Sequence, residues 1–143
     1  MAVQFSEAVR IAMLDSIETA IGTDAKLVFY RGSIPANCAA SAPSGDIVAT
    51  LTLTGNWMDN AVADTGFCKK LKASGSTWSA QATLAGTNTV AFYRIFNTGL
   101  TVCHEQGTVT ATGGGGDITL DSVSVAQNQT ITITAKQLNS GNN

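Results

Sequence analysis

Short segments in which apolar and hydroxyl-bearing residues alternate dominate this sequence. Six of them are rich in Thr, Val and Ile, and the most regular is QTITITA at residues 129–135. Successive side chains of a β-strand point to opposite faces, so this alternation puts an apolar row on one face and hydroxyl groups on the other. We therefore expect strands that bury one face and leave the other to water or to a partner protein.

The number and spacing of these segments predict the fold class. Strand signals recur about every ten residues after a single helical signal, as in antiparallel sandwiches. We predict an all-β protein, an antiparallel jelly roll or β-sandwich of about eight strands with one N-terminal amphipathic helix. The first strand segment is almost continuously apolar and is expected to be central. The predicted strands cover residues 26–31, 47–53, 67–72, 78–82, 90–96, 100–110, 118–120 and 129–135.

Residues 6–21 carry the helical signal. Ser6 is suited to cap the first turn, Glu7 suits the positive end of the helix dipole, and Gly22 suits a left-handed C-terminal stop. We expect the helix to cover an open end or face of the sheet or, alternatively, to mediate self-association. One face is predicted to hold Val9, Met13, Leu14, Ile17, Ala20 and Ile21, with Arg10, Asp15, Glu18 and Thr19 mainly opposite.

Two turns carry specific expectations. Asn97-Thr98-Gly99 is predicted to close a hairpin, because Asn and Gly adopt left-handed turn conformations readily. The four glycines at residues 113–116 lack the following Lys-Ser/Thr and helix that a phosphate-binding loop requires. They are expected to form a flexible or tightly approached crossover that leads into the strand at residues 118–120.

The length of 143 residues indicates a single domain spanning 1–143. We divide it into an N-terminal arm (1–5), the helix (6–21), the β-sandwich (26–138) and a polar, flexible tail (139–143).

The arm carries two apolar residues, Val3 and Phe5, which are not expected in an unattached segment. We predict that they contribute to docking on a partner. Alternatively, Phe5 forms a hydrophobic staple against Val9 or the aliphatic part of Arg10.

Composition excludes several function classes. Net charge is −2 and 13% of residues are charged, so no clustered basic surface for nucleic acid is expected. The dense run Lys69, Lys70 and Lys72 is interpreted as a solvated edge. No apolar run reaches the roughly 18 residues of a membrane span. The first residues do not resemble a signal peptide, so synthesis in the cytoplasm is expected.

No catalytic constellation accompanies the strands. The single histidine, His104, has no nucleophile motif near it, and nothing in the sequence pairs the acidic residues. Cys38, Cys68 and Cys103 lack metal-ligand spacing and are expected to be free thiols in a reducing compartment. We predict no enzyme activity, cofactor or metal. Exposed Trp57 and Trp78 would instead favour a carbohydrate-binding module.

Seven segments form a distinctive set: 10–22, 26–30, 35–40, 49–53, 93–97 (YRIFN), 103–109 (CHEQGTV) and the glycine run with 117–120 (DITL). Together they resemble small structural proteins of tailed bacteriophages, and most closely jelly-roll capsid cement (decoration) proteins. The resemblance spans most of the chain, and its motifs are structural. It implies a virion protein made in the host cytoplasm that binds the outside of an assembled capsid, bridges capsomers and stabilises the DNA-filled shell. Its implied partners are the major capsid protein and a second copy of itself. Tail and fibre proteins of phages are likewise rich in strands and in Thr, Ser and Gly.

Overall fold

The computed structural model describes residues 3–141, which are mostly β with one N-terminal helix, as predicted. The elements within this range are α1 (Glu7–Ile21), β1 (Ala25–Tyr30), β2 (Ile47–Leu53), β3 (Val62–Asp64), β4 (Phe67–Leu71), β5 (Trp78–Gln81), β6 (Thr87–Thr89), β7 (Phe92–Phe96), β8 (Cys103–Ala111), β9 (Ile118–Leu120), β10 (Ser124–Ala126), β11 (Thr130–Ile133) and β12 (Gln137–Gly141), with a 3₁₀ turn at Ser44–Asp46.

Each of the eight predicted segments overlaps a strand, and the described residues add four more: β3, β6, β10 and β12. Three of these have three residues each, and none has the apolar-polar-apolar order that marks β9 (Ile-Thr-Leu). The fourth, β12, pairs along its length with β4, from Gln137 opposite Leu71 to Gly141 opposite Phe67. The predicted flexible tail is therefore wrong for residues 139–141, and residues 142–143 lie outside the described part.

The largest sheet has the strand order β2-β1-β7-β8-β9, so β1 lies in its interior as predicted. Its pairs are antiparallel except β8 with β9, which run parallel. The expectation of a wholly antiparallel fold is wrong at this pair. Smaller sheets, β10-β6, β11-β5 and β12-β4-β3, complete the described pairing.

The glycine run makes the parallel pair possible. Parallel neighbours usually need a connection of a dozen or more residues, whereas Ala111 and Ile118 bound a much shorter one. Gly116 donates its N–H to Thr110 Oγ1 at 2.9 Å, and a Cβ at Gly116 would lie 2.8 Å from Thr110 N. The run is thus a tightly approached crossover, one of the two predicted alternatives.

Both faces of β1 are buried, which explains its continuous apolar sequence. Leu27 and Phe29 join the main core, which the five-stranded sheet shares with the smaller β5-β11 and β6-β10 sheets. Val28 and Tyr30 point to the other face, where Tyr30 stacks on Phe92 with ring centroids 4.8 Å apart. The chain between β1 and β2 helps to cover this second face through Ala42.

Helix α1 has the predicted ends but a different buried face. Ser6 Oγ accepts a hydrogen bond from Val9 N at 3.4 Å, and Gly22 follows the last turn with φ +92°. Leu14, Ile17 and Ile21 pack inward as expected. The prediction was wrong for other positions: Val9, Met13 and Ala20 are exposed, whereas Asp15 and Glu18 turn toward β4.

The β7–β8 hairpin has its turn at the predicted place, but a different residue adopts the left-handed conformation. Leu100, with φ +58°, takes the left-handed conformation that had been expected of Asn97 and Gly99. Asn97 instead caps the turn, since its Oδ1 accepts hydrogen bonds from the N–H groups of Thr101 and Val102 at 2.9 and 3.1 Å.

Candidate functional site

Four exposed apolar residues occur near the N-terminus and on the outer side of α1. Val3 is 75% exposed, Phe5 46%, Val9 42% and Met13 48%. Val9 and Met13 are one helical turn apart and therefore lie on the same face. We call these four residues the N-terminal apolar surface. It includes both predicted docking residues, Val3 and Phe5, and adds Val9 and Met13, two members of the predicted apolar helix face.

A buried lysine fixes the helix beneath this surface. Lys70, on β4, is 2% exposed, and its Nζ lies 2.8 Å from Asp15 Oδ1 and 3.2 Å from Glu18 Oε2. The hydrogen bond from Lys70 lowers the pKa of Asp15. Interpreting Lys69, Lys70 and Lys72 as a solvated edge was therefore wrong for Lys70, because neighbouring strand positions face opposite ways.

The same two acidic side chains also bind backbone N–H groups. Glu18 Oε1 accepts hydrogen bonds from Trp57 N and Met58 N at 2.8 and 3.0 Å, and Asp15 Oδ1 accepts one from Ala61 N at 2.8 Å. α1 is thus attached to the sheet by charge-assisted hydrogen bonds as well as by apolar packing. Such bonds restrict orientation, so the helix presents its outer face as a rigid unit.

A second polar cluster lines a cleft of about 480 Å³. Lys136, 5% exposed, places Nζ 2.6 Å from Glu105 Oε1 and 2.8 Å from Tyr93 Oη. Tyr93 also donates to Glu105 Oε1. His104 and Asp117 lie on the cleft wall. Burial, with the nearby Glu105 carboxylate, raises the pKa of Tyr93, so its phenol stays protonated at neutral pH.

The charged groups of this cluster form ion pairs and hydrogen bonds with other groups of the protein. Glu105 is shared by Lys136 and Tyr93, and the Asp117 carboxylate accepts hydrogen bonds from Thr108 N and Oγ1 at 2.8 and 2.9 Å. This arrangement joins β7, β8 and the segment before β12. It secures the sheet, and it leaves His104 as an exposed cleft residue.

Buried Arg94 organises the long loop between β1 and β2. Its guanidinium donates to the carbonyl oxygens of Asn37 and Ala40 at 3.0 and 2.8 Å and to Gln106 Oε1 at 2.9 Å. This contact brings the thiols of Cys38 and Cys103 together, with the two Sγ atoms 2.7 Å apart. Sequence reasoning could not find this pair, because the two cysteines are 65 positions apart.

Other candidate sites are limited by burial and geometry. Trp57 and Trp78 are 0% exposed and pack on each other, so neither offers a platform for a sugar ring. Within residues 3–141, His, Cys, Asp and Glu side chains form no group of three or more that could hold a metal ion. No helix in this range is long and apolar enough to cross a membrane.

Comparison with known proteins returned no relatives: no protein-family model, curated protein or solved structure matches the chain.

Proposed function

We propose that this protein is a structural virion component of a tailed bacteriophage. In this proposal it binds the outside of the assembled capsid as a cement protein, bridges capsomers and stabilises the DNA-filled shell. The observation that carries the proposal is the N-terminal apolar surface, presented on a helix that Lys70 attaches to the sheet. The resemblance of the sequence to capsid decoration proteins supplies the expected partner, the major capsid protein.

The proposed mechanism depends on rigidity and copy number and uses no catalytic residue or cofactor. Val9 and Met13 would lose exposed apolar area on docking, a gain of about 25 cal/mol for each Å² buried. A modest affinity at each site becomes strong attachment when linked copies occupy neighbouring sites. With a net charge of −2, few ion pairs would be screened, so attachment should be nearly insensitive to moderate salt.

Two finer features belong to the same proposal. The connectivity is proposed to be that of a jelly roll, and the binding unit is proposed to be a homodimer. β3 supports the second, because it is an edge strand of the β12-β4-β3 sheet and its Val62 is 47% exposed. An edge strand has unpaired backbone groups that can pair with the same strand of a second copy.

The second candidate is a tail- or fibre-associated structural protein of a phage. The exposed apolar residues and the strand-rich fold suit either location, and the position of the protein in the virion separates the two. A carbohydrate-binding module is not favoured, because Trp57 and Trp78 are both fully buried.

Add-back to particles that lack the protein tests the proposal. The double variant V9S/M13S should fold normally, since both residues are exposed, but should bind expanded shells at least about tenfold more weakly. V102S is the matched control, because Val102 is 48% exposed and lies outside the N-terminal apolar surface. Cosedimentation with shells measures binding, and equal binding by V9S/M13S and V102S would contradict the assigned surface.

Deletion of residues 1–5 separates the two interpretations of Phe5. A docking arm predicts lost shell binding with an unchanged melting temperature. A hydrophobic staple predicts a lowered melting temperature, with binding retained below it. Circular dichroism melting and shell cosedimentation of the same preparation give both readings.

A further inference from the structure

The thiols of Cys38 and Cys103 lie in contact although they come from different parts of the chain. Cys38 is in a turn of the β1–β2 loop, and Cys103 is the first residue of β8. Their Sγ atoms are 2.7 Å apart, and a further approach of about 0.7 Å would reach the S–S bond length of about 2.05 Å. Both cysteines are free thiols in this structure.

Hydrogen bonds on both sides of Cys38 hold it in this position. Arg94 donates to the carbonyl oxygens of Asn37 and Ala40, which flank Cys38 in the sequence. Gln106, three residues after Cys103, donates through Nε2 to Pro35 O at 2.8 Å. The turn is therefore fixed on β7 and β8 before any bond forms between the sulfur atoms.

We propose that Cys38 and Cys103 are a modification site that forms an intramolecular disulfide with an oxidised low-molecular-weight thiol such as glutathione disulfide. The Cys38 thiolate attacks one glutathione sulfur, forms a mixed disulfide and releases one glutathione thiolate. Cys103 then gives its proton to that thiolate and attacks the Cys38 sulfur, which releases the second glutathione. Two cysteine thiols are oxidised to one disulfide, and one glutathione disulfide is reduced to two glutathione molecules.

The accessibility of the two thiols and the raised pKa of Cys103 are consistent with these steps. Both thiols are half-buried and border an open cleft of about 280 Å³, so the disulfide bond of an oxidant can approach them from solvent. Burial, with the neighbouring Cys38, raises the pKa of Cys103 to about 12, so Cys103 holds its proton at neutral pH. Cys68 is 0% exposed, so the same oxidant should not reach it.

The inference is independent of the proposed function and is tested on the folded, full-length chain. The reduced protein is incubated with glutathione disulfide at neutral pH, and free thiols are then counted after denaturation in an alkylating reagent. The wild type should fall from three thiols to one, and the matched control C68S from two to none. Peptide mapping should find one bond, Cys38 to Cys103, within a monomer. C38S and C103S should each fail to form an intramolecular bond.

Melting gives a second reading of the same bond. Closure of a 65-residue loop should raise the melting temperature of the oxidised wild type by about 10 °C above the reduced form, and dithiothreitol should reverse the rise. C38S should show no rise. The inference is overturned if the wild type keeps three thiols, if Cys68 takes part in the bond, or if Cys38 and Cys103 each retain a separate glutathione.

Discussion

At the residue scale, buried cations connect segments that are distant in sequence. Lys70, Arg94 and Lys136 are 2%, 2% and 5% exposed, and each binds oxygen atoms of another segment. Burying a charge is costly unless it is paired and hydrogen-bonded, so each of these contacts specifies one arrangement of the chain. Sequence reasoning missed these contacts because the residues around a Lys or Arg do not show which distant segment supplies its partner.

Replacing Lys70 should therefore destabilise the protein. In K70M the carboxylates of Asp15 and Glu18 lose their cation, and we expect a loss of about 2–3 kcal/mol in the free energy of unfolding. K69M is the matched control, because the Lys69–Asp64 pair is at the surface, where water screens the two charges, and its loss should change stability little. Urea denaturation measures both, and equal losses would show that Lys70 does not anchor the helix.

Asp117 should give the protein part of its acid sensitivity. Hydrogen bonding from Thr108 N holds the pKa of Asp117 below the usual value of 3.8. A group with a depressed folded-state pKa stabilises fully above the unfolded-state pKa, and this contribution is lost as the pH falls through the folded-state value. D117A should cost about 0.5–1 kcal/mol at pH 7, a small value because Asp117 is exposed to solvent screening.

The pH dependence provides the check. The stability difference between wild type and D117A should be constant from pH 7 to about pH 5 and should shrink below about pH 4. D121A, which changes an exposed acid four residues away, serves as control and should alter stability little. A difference between wild type and D117A that grows as the pH falls would have the wrong sign for this explanation.

At the scale of elements, long regular patterns were predictable and short or context-dependent ones were not. β2 spans the predicted residues 47–53, and α1 begins after the predicted cap Ser6. β6 and β10 have three residues each and exist because they pair with each other, a contact that no local pattern encodes. β12 was missed because its Asn139 and Ser140 resemble a solvated tail.

The candidate site was predictable only in part. Val3 and Phe5 stand out in the sequence because they lie outside any periodic element. Val9 and Met13 fit the apolar side of a helix, but the helix is rotated so that Asp15 and Glu18 reach Lys70. The ion pairs with buried Lys70 therefore orient the helix so that Val9 and Met13 remain exposed.

Because the crossover from β8 to β9 is closely packed, a side chain added at Gly116 should destabilise the protein. G116A would place a Cβ 2.8 Å from Thr110 N, and we expect a loss of about 1–3 kcal/mol from the strained contact. The matched control is G75A, because a Cβ at Gly75 meets nothing within 4 Å, and its effect should stay within about 0.5 kcal/mol. Chemical denaturation compares the two; similar stabilities would indicate that the crossover is loose.

At the scale of the whole molecule, the fold combines a buried polar framework with a charge-poor exterior. Covalent closure between Cys38 and Cys103 would fix the β1–β2 loop on the five-stranded sheet. On the proposed virion, the protein would meet oxidising conditions once the host cell has lysed, and such a bond persists under those conditions. The proposed disulfide would limit deformation of each shell-bound copy. A more rigid copy suits the proposed cement function, which limits deformation of the shell.

Self-association should depend on the exposed edge of β3. V62K places a charge on this edge strand and should weaken a dimer that pairs through it, because charged residues oppose edge-to-edge pairing. Sedimentation velocity should show a dimer for the wild type and a monomer for V62K. A wild-type monomer in solution, bound as isolated copies on particles, would contradict the homodimer proposal.

The most direct test of the central claim is electron cryo-microscopy of virions with and without this protein, combined with heating of both. We predict density of this fold outside the shell, across the joints between capsomers, that is missing from deletion particles. Those particles should assemble but release their DNA at a lower temperature. Density confined to the tail, or deletion particles with unchanged heat resistance, would contradict the cement proposal.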